Sequence, residues 1–296
     1  MLVPEPGTVS AMSGDRDDHV GADAGFAWGV GLHATHGERV DAAAYRRYLG
    51  RWSRLFVPDL LTAATVAKGD RVLDLATGPG EAAVALVGLV GGHGLIVGVD
   101  ISTAMLEAAS ARLTTEQCQP VAADAQALPF AVDCFDAVVC QLGLMFFPNP
   151  ADALAECWRT LRPGGRNAVC VVSSPDRAPL WGVLADALSD HLPSQRELLH
   201  LSFALADPDH LARLFDSAGF HDVRVTPVNH HDVVGSFEEY WEPIETGTGQ
   251  MPQAYLALPD RARRAVRDEV HERLAAFEIN GRYHLSVEML IASGQK

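Results

Sequence analysis

The chain has 296 residues, of which 48% are hydrophobic, and a formal charge of −15 at pH 7. That is ample material for one large α/β domain with insertions or for two small domains, and it excludes a mostly disordered protein. The acidity argues against electrostatic binding of nucleic acid, whose affinity rests on Lys and Arg neutralising phosphates. The one basic run, Arg261-Ala-Arg-Arg264, sits among acidic neighbours in a helical pattern and reads as a solvated face. Cys118, Cys134, Cys140, Cys157 and Cys170 form no CxxC pair and no metal-spaced cluster with His, so a metal site is not expected. No apolar run approaches a membrane span, and the amino terminus lacks the basic start and apolar stretch of a signal peptide. A cytoplasmic protein in a reducing compartment is expected.

Residues 1–37 are rich in Gly, Asp, Pro and Ala and are expected to form a mobile tail. Residues 38–68 read as lid helices. Between Asp41 and Val66, the residues Tyr45, Tyr48, Leu49, Trp52, Leu55, Phe56, Leu60 and Leu61 recur at intervals of three and four. Pro58 is placed at the start of the second of two helices.

Strand and helix patterns then alternate through a core over 69–174. Strands are predicted at Arg71–Leu75, Leu95–Val99, Gln119–Ala122, Ala137–Cys140 and Asn167–Val172. Helices are predicted at Glu81–Val90, Thr103–Leu113 and Ala151–Leu161, with Arg162-Pro-Gly-Gly165 as a turn. Continuous apolar strands separated by amphipathic helices predict a parallel sheet covered on both faces.

Residues 175–206 read as a first helical insertion, and 207–235 as a return to the core with a helix over Asp207–Ala218 and a strand over His221–Val234. Residues 236–282 form a second helical insertion, and 283–296 hold a final strand centred on Ser286–Ala292. The expected fold class is therefore α/β. It is a doubly wound, mostly parallel seven-stranded sheet with its last strand antiparallel, capped by the N-terminal segment and the two insertions.

Gly78-Pro-Gly-Glu-Ala-Ala83 fits G-x-G-x-x-G/A, and Asp100 follows at the distance expected of a dinucleotide fold. A carboxylate there accepts from the two hydroxyls of any adenosine ribose. The glycine loop separates the possible ligands. A pyrophosphate at a helix amino terminus disfavours nearby acids, whereas Asp74 before the glycines and Glu81 after them suit a ligand of net positive charge. For Asp74 the alternative is an acid that braces the loop or caps the helix.

Asp74-Leu-Ala-Thr-Gly-Pro-Gly80 resembles the first motif of class I S-adenosylmethionine-dependent methyltransferases, with Ala76 in place of the usual first glycine. That change is expected to be mild, on the premise that the backbone at Ala76 does not adopt positive φ. Asp100-Ile-Ser102 resembles the second motif, Ala123-Asp-Ala-Gln-Ala-Leu-Pro-Phe130 the third, and Arg162-Pro-Gly-Gly165 the turn before the fifth strand. The ordered set, from about Val72 to Val172, is similar to the quinone-, sterol- and natural-product-type enzymes of this class.

The resemblance implies S-adenosyl-L-methionine as cofactor. Asp74 orders the methionine ammonium directly or through water, while Ala76, Thr77, Gly78 and Gly80 form the loop beside the methionine portion. Asp100 holds the ribose hydroxyls, and Ile101 and Met105 flank the adenine, although Met105 is equally a core residue. Asp124 accepts from the adenine amino group, or else caps a turn, and Ala125 offers its backbone N–H. Tyr45 and Tyr48 are the lid residues expected to touch the cofactor, whereas Trp52 and Phe56 read as packing.

Gln141-Leu-Gly143 ends the fourth strand at the ligand-binding carboxyl edge, with Gln141 expected to bind the cofactor and standing where the metal-dependent catechol-type enzymes of this class place an acid. The Asn/Asp-Pro-Pro-aromatic motif of the amino-methylating nucleic-acid enzymes is missing there. Phe146-Phe-Pro-Asn-Pro150 supplies an apolar wall. The expected activity is metal-independent, in-line transfer of methyl to an oxygen or carbon of a small, largely apolar metabolite, in secondary metabolism. The alternative is a non-methylating enzyme, such as a cyclase, that keeps the cofactor as a structural element. A general base would be a His by default. Among twelve histidines, His230 and His231 at the end of the sixth strand are the candidates. His33, His36, His200, Glu239 and Tyr240 are further ones.

Overall fold

The computed structural model describes residues 49–113, 115–247 and 249–296. The expected tail over 1–37, together with Tyr45, Tyr48, His33 and His36, lies outside these residues.

A helix, α1 (Arg51–Ala63), precedes a run of alternating elements: β1 (Arg71–Leu75), α2 (Glu81–Val90), β2 (Leu95–Asp100), α3 (Thr103–Arg112) and β3 (Cys118–Ala122). Then come β4 (Phe135–Gln141), α4 (Pro150–Thr160) and β5 (Leu161–Val172). The strand order is β3-β2-β1-β4-β5-β8-β6. β1 through β5 pair in parallel, while β8 (Arg282–Gln295) runs antiparallel to both β5 and β6 (His221–Val234). This is the mostly parallel sheet with an antiparallel last strand that the sequence predicts. A two-residue strand, β7 (Glu278–Ile279), pairs with the start of β8 and makes the sheet eight-stranded.

The strands form where they do because their residues are apolar on both faces. In β1, Val72, Leu73 and Leu75 are buried, and in β4 every residue from Ala137 to Cys140 is buried. Such strands belong in the centre of a sheet layered by helices. α1 lies across β4, β5, β6 and β8 and packs on α2, while α4 and α7 (Pro208–Ser217) cover the other face.

Three expectations are corrected. Pro58 lies inside a single helix, where it removes one backbone donor. The helix continues past it because Trp52, Phe56, Val57, Leu60 and Leu61 are all buried against the sheet and α2. The final strand runs well beyond Ser286–Ala292 at both ends, because β8 pairs with β6 from Tyr283 to Gln295. The turn Arg162–Gly165 is a bulge within β5: pairing with β4 jumps from Phe135↔Leu161 to Ala137↔Arg166, and Gly164 takes φ +82°. Three helices follow β6, as the helical pattern of that stretch predicts: α8 (Phe237–Glu245), α9 (Gln250–Leu256) and α10 (Asp260–Leu274).

The helices outside the alternating core pack on one another. α5 (Pro179–His191) contacts α9, α10 and β8. It is apolar nearly all round, with ten of its thirteen residues buried. That is the signature of a helix enclosed by protein. α10 instead buries only Val266, Val270 and Leu274, a stripe one turn apart. A four-residue helix, α6 (Arg196–Leu199), and a short turn at Leu201–Phe203 connect α5 to α7.

Gly182 sets how closely α5 approaches the end of the core. A Cβ there would lie 2.2 Å from the Pro175 carbonyl oxygen and 2.8 Å from its carbon. Backbone at that distance does not yield. Gly182→Ala is expected to lower stability by ~2–3 kcal/mol, read as a lower urea midpoint. Gly88→Ala on α2, where a Cβ meets nothing within 4 Å, is expected to raise stability by ~0.5–1 kcal/mol.

Candidate functional site

The loops after β1 and β4 diverge at the point where strand order reverses, and a cavity opens there at the carboxyl edge of the sheet. In open α/β sheets this is where ligands bind. Ala76 and Gly78 line it from the first loop and Asp100, Ile101 and Met105 from the end of β2. Asp124 and Ala125 line it from beyond β3, and Gln141 from β4. Eight residues expected at a cofactor site are thus brought to one cavity.

Asp100 is the fixed point. Its Oδ2 accepts from the Gly78 N–H at 2.9 Å, and its Oδ1 accepts from the Ser102 N–H at 2.9 Å. Ser102 in turn caps α3, its hydroxyl accepting from Met105 N–H. The carboxylate therefore holds the glycine loop against the start of α3. It also occupies a backbone donor that a phosphate would need, which counts against a pyrophosphate at this loop. The described lining residues include two carboxylates, Asp100 and Asp124, and neither Lys nor Arg. This field suits a cationic ligand.

Ile101 is 48% exposed beside Asp100, an apolar surface available to a flat ring, and Met105 also belongs to the lining, at 2% exposure. Asp124 accepts from Gln126 N–H at 2.9 Å while lining the cavity, so its turn-capping and ligand-facing readings are compatible.

Several expected residues stand behind the cavity. Asp74 is fully buried, and its Oδ2 accepts from the Thr77 hydroxyl at 2.7 Å. This is the loop-bracing arrangement. Its Oδ1 has no hydrogen-bond partner, and burial pushes its carboxyl up to about 7, with the charge on Asp100 adding to the effect and the Thr77 bond opposing it. Thr77 packs against Gly98 of β2, and Gly80 caps α2 at φ +83°. Glu81, read from sequence as an acid available to a cationic ligand, is paired with Arg112 at 3.1 Å. Arg112 also donates to the Pro79 carbonyl. The pair cancels the charge that the sequence argument assigned to Glu81.

The premise about Ala76 is corrected as well. Its φ is +53°, in the left-handed region where a side chain costs ~1–2 kcal/mol. Gly143 makes room for it: a Cβ at 143 would lie 2.5 Å from Ala76 Cβ and 2.9 Å from Cys140 Sγ.

His230 and His231, the expected bases, are absent from the lining. They lie on β6, which pairs with β8 at the far edge of the sheet. His230 meets Asp59 at 3.3 Å and stands edge-on to Phe56, with ring centroids 4.6 Å apart, while His231 is exposed. The alternatives are committed elsewhere: His200 faces Asp186, Glu239 pairs with Arg51, and the Tyr240 hydroxyl donates to Leu180 O at 2.8 Å. Trp52 and Phe56 are packed in the core.

The sequence reading missed the wall formed by Trp181, Leu201, Ser202, Gln250 and Met251. These residues come from α5, the turn after α6 and the start of α9. Together with the expected Phe146 and Phe147, they add a mainly apolar surface to the cavity. Packing of α5 against α9 brings them together, and no local motif marks that.

A methyltransferase-domain family profile matches residues 73–169. The ubiquinone/menaquinone biosynthesis C-methyltransferase UbiE of Francisella philomiragia is 38% identical over 126 residues, which are 41% of this chain and 50% of that protein. The chain thus spans about half the length of the curated relatives it matches. Among solved structures, a phosphoethanolamine N-methyltransferase 2 of Haemonchus contortus, in complex with S-adenosyl-L-methionine, superposes with a TM-score of 0.57 at 18% identity. That superposition covers 92% of this chain and 60% of the other. The [4+2]-cyclase SpnF superposes with a TM-score of 0.51 at 17% identity, covering 82% of this chain and 81% of that one. At these identities the two structures establish the fold.

Two outcomes follow from the geometry. Gly143→Ala is expected to destabilise the protein by ~1–3 kcal/mol, and adding Ala76→Gly is expected to recover part of that loss, as thermal unfolding of the three variants would show. Asp74 carries a folded pKa raised to about 7 from 3.8. A raised acid stabilises the fold below its unfolded pKa and loses that contribution as pH rises to the folded value. Stability is therefore expected to fall between about pH 4 and pH 7, by up to ~4 kcal/mol. In Asp74→Asn that slope is expected to flatten in melting temperatures taken across the range. The profile match, the relative and the topology agree: residues 73–169 match a methyltransferase domain, set in a Rossmann-like fold.

Proposed function

We propose that this domain binds S-adenosyl-L-methionine and transfers its methyl group to an oxygen or carbon of a small, uncharged, hydroxylated aromatic acceptor of the quinol type. The observation that carries the cofactor reading is the carboxylate of Asp100, clamped at the tip of β2 in a cavity lined by two acids and no basic residue among those described. When bound, the cofactor supplies a methyl on a positively charged sulfonium, already activated for displacement.

The residues present fit that group. Asp100 lines the cavity at the tip of β2, where a carboxylate would accept from ribose hydroxyls. Ile101 and Met105 would flank the adenine, and Asp124 would receive its amino group. Asp74, behind the loop, would favour a cationic ligand when ionised. Its unpartnered Oδ1 is the buried acceptor that an ammonium, directly or through water, would satisfy.

The acceptor reading rests on the apolar wall. Phe146, Phe147, Trp181, Leu201 and Met251 offer aromatic and aliphatic surface that excludes water and holds the acceptor in line. The described lining holds no His, Lys, Tyr or Cys to act as a base. Such a site suits an acceptor nucleophilic by its own electronics, such as an electron-rich ring carbon beside a hydroxyl. The name of the Francisella relative, which concerns quinone biosynthesis, supports the same class. We further propose that α5, α8, α9 and α10 form the cap over this acceptor, with β1 to β5 as the cofactor-binding core.

Isothermal titration provides the test. The protein is expected to bind S-adenosylhomocysteine and not NAD. Asp100→Asn is expected to weaken binding by ~10–100-fold, the loss of charge-assisted bonds to the ligand. A wild-type protein that binds NAD and no S-adenosylhomocysteine would overturn the reading.

A further inference from the structure

Two buried polar atoms on cavity-lining side chains have no hydrogen-bond partner: Gln141 Oε1 and Trp181 Nε1. The orientation of Gln141 is fixed, because its Nε2 donates to the Ser53 carbonyl at 3.0 Å. A carbonyl accepts only, so the amide nitrogen must face it, which leaves the amide oxygen over. Trp181 is 2% exposed, and its indole N–H can only donate. A buried polar atom left unmade costs ~1–3 kcal/mol, and here two of opposite character occur on one cavity.

Their neighbours sharpen the point. The rest of α5 is mainly aliphatic: Leu180, Val183, Leu184 and Leu188 are all buried. Phenylalanine would fill much of the same space as Trp181, and the N–H is what tryptophan adds. No ionisable side chain occurs among Leu142, Gly143, Met145, Phe146, Phe147 and Leu201 beside them. A charged acceptor would therefore be stranded on this side, while a neutral one with oxygen functions would not.

We propose that Trp181 and Gln141 are the polar pair that selects and orients the methyl acceptor. The indole N–H donates to one acceptor oxygen, and the Gln141 amide oxygen accepts from an acceptor hydroxyl. This rests on reading the site as a methyl-transfer pocket and adds its specificity determinants. Gln141 belongs to the core and Trp181 to α5, so an acceptor carrying both functions bridges the sheet edge and the helices over it. A plain hydrocarbon ring would enter the same cavity and leave both atoms unpaired.

The test is titration of the full chain, saturated with S-adenosylhomocysteine under reducing, anaerobic conditions, with 1,4-dihydroxynaphthalene and with naphthalene. Trp181→Phe and Gln141→Met are each expected to weaken the diol by about tenfold, the value of one hydrogen bond in a buried site. Naphthalene affinity is expected to stay within about twofold, since the apolar contacts are kept. Equal diol affinity in Trp181→Phe and wild type would overturn the proposal, as would parallel loss of diol and naphthalene, the mark of a merely structural role. Wild-type protein that binds S-adenosylhomocysteine but no diol would overturn the acceptor class and the pairing with it. Failure to bind S-adenosylhomocysteine would overturn the underlying reading of the site.

Discussion

The site depends on one carboxylate bonded to two backbone N–H groups. Asp100 joins Gly78 to Ser102, so a single side chain at the tip of β2 ties the loop after β1 to the start of α3. Both backbone bonds are charge-assisted and hold the carboxylate at a fixed orientation. The order of the strands makes this possible: β1 and β2 are neighbours in register, with Asp74 opposite Gly98 and Leu75 opposite Val99. The same register puts Thr77 against Gly98, where any Cβ would lie within 3.1–3.3 Å of it. Loop, sheet and ligand acid are therefore one mechanical unit.

Charge near the loop is arranged in layers. Glu81 is neutralised by Arg112, which also grips the Pro79 carbonyl. Asp74 is buried behind the loop and resists ionisation in the absence of a cation. Among the described residues, Asp100 and Asp124 are the acids that line the cavity. A cationic ligand gains from all three, and an anionic one finds the loop's donor at Gly78 already taken. Farther from Asp100, the surface turns apolar where α5 and α9 approach. One cavity thus has an acidic end suited to a cationic ligand and an apolar end suited to a neutral one.

Much of this was legible in the residues. The ranges of β1, α2 and β6 coincide with their sequence patterns, because those segments have the clearest apolar periodicity and are bounded by glycine, proline or capping residues. Motif spacing pointed to Asp100, Ile101 and Asp124, which line one cavity, since strand ends in a parallel sheet recur at fixed intervals. What failed has physical causes. The φ of Ala76 is set by the sharp exit from β1 and by the space Gly143 leaves, and residue identity at 76 carries no trace of that. The ion pair of Glu81 depends on Arg112, thirty-one residues away. His230 and His231 lie within β6, whose pairing with β8 is at the sheet's far edge, so topology does not bring them to the cavity. Trp181, Leu201 and Met251 come from segments far apart in the chain and reach one cavity through the packing of α5 on α9.

The central claim is that this cavity moves a methyl group from a sulfonium to a neutral aromatic acceptor. Its most direct test is incubation of the protein with S-adenosylmethionine bearing a trideuterated methyl group and 1,4-dihydroxynaphthalene, followed by mass spectrometry. The account predicts an acceptor product heavier by one trideuteromethyl group, formed together with S-adenosylhomocysteine. Unmodified acceptor recovered from protein saturated with both ligands would contradict it.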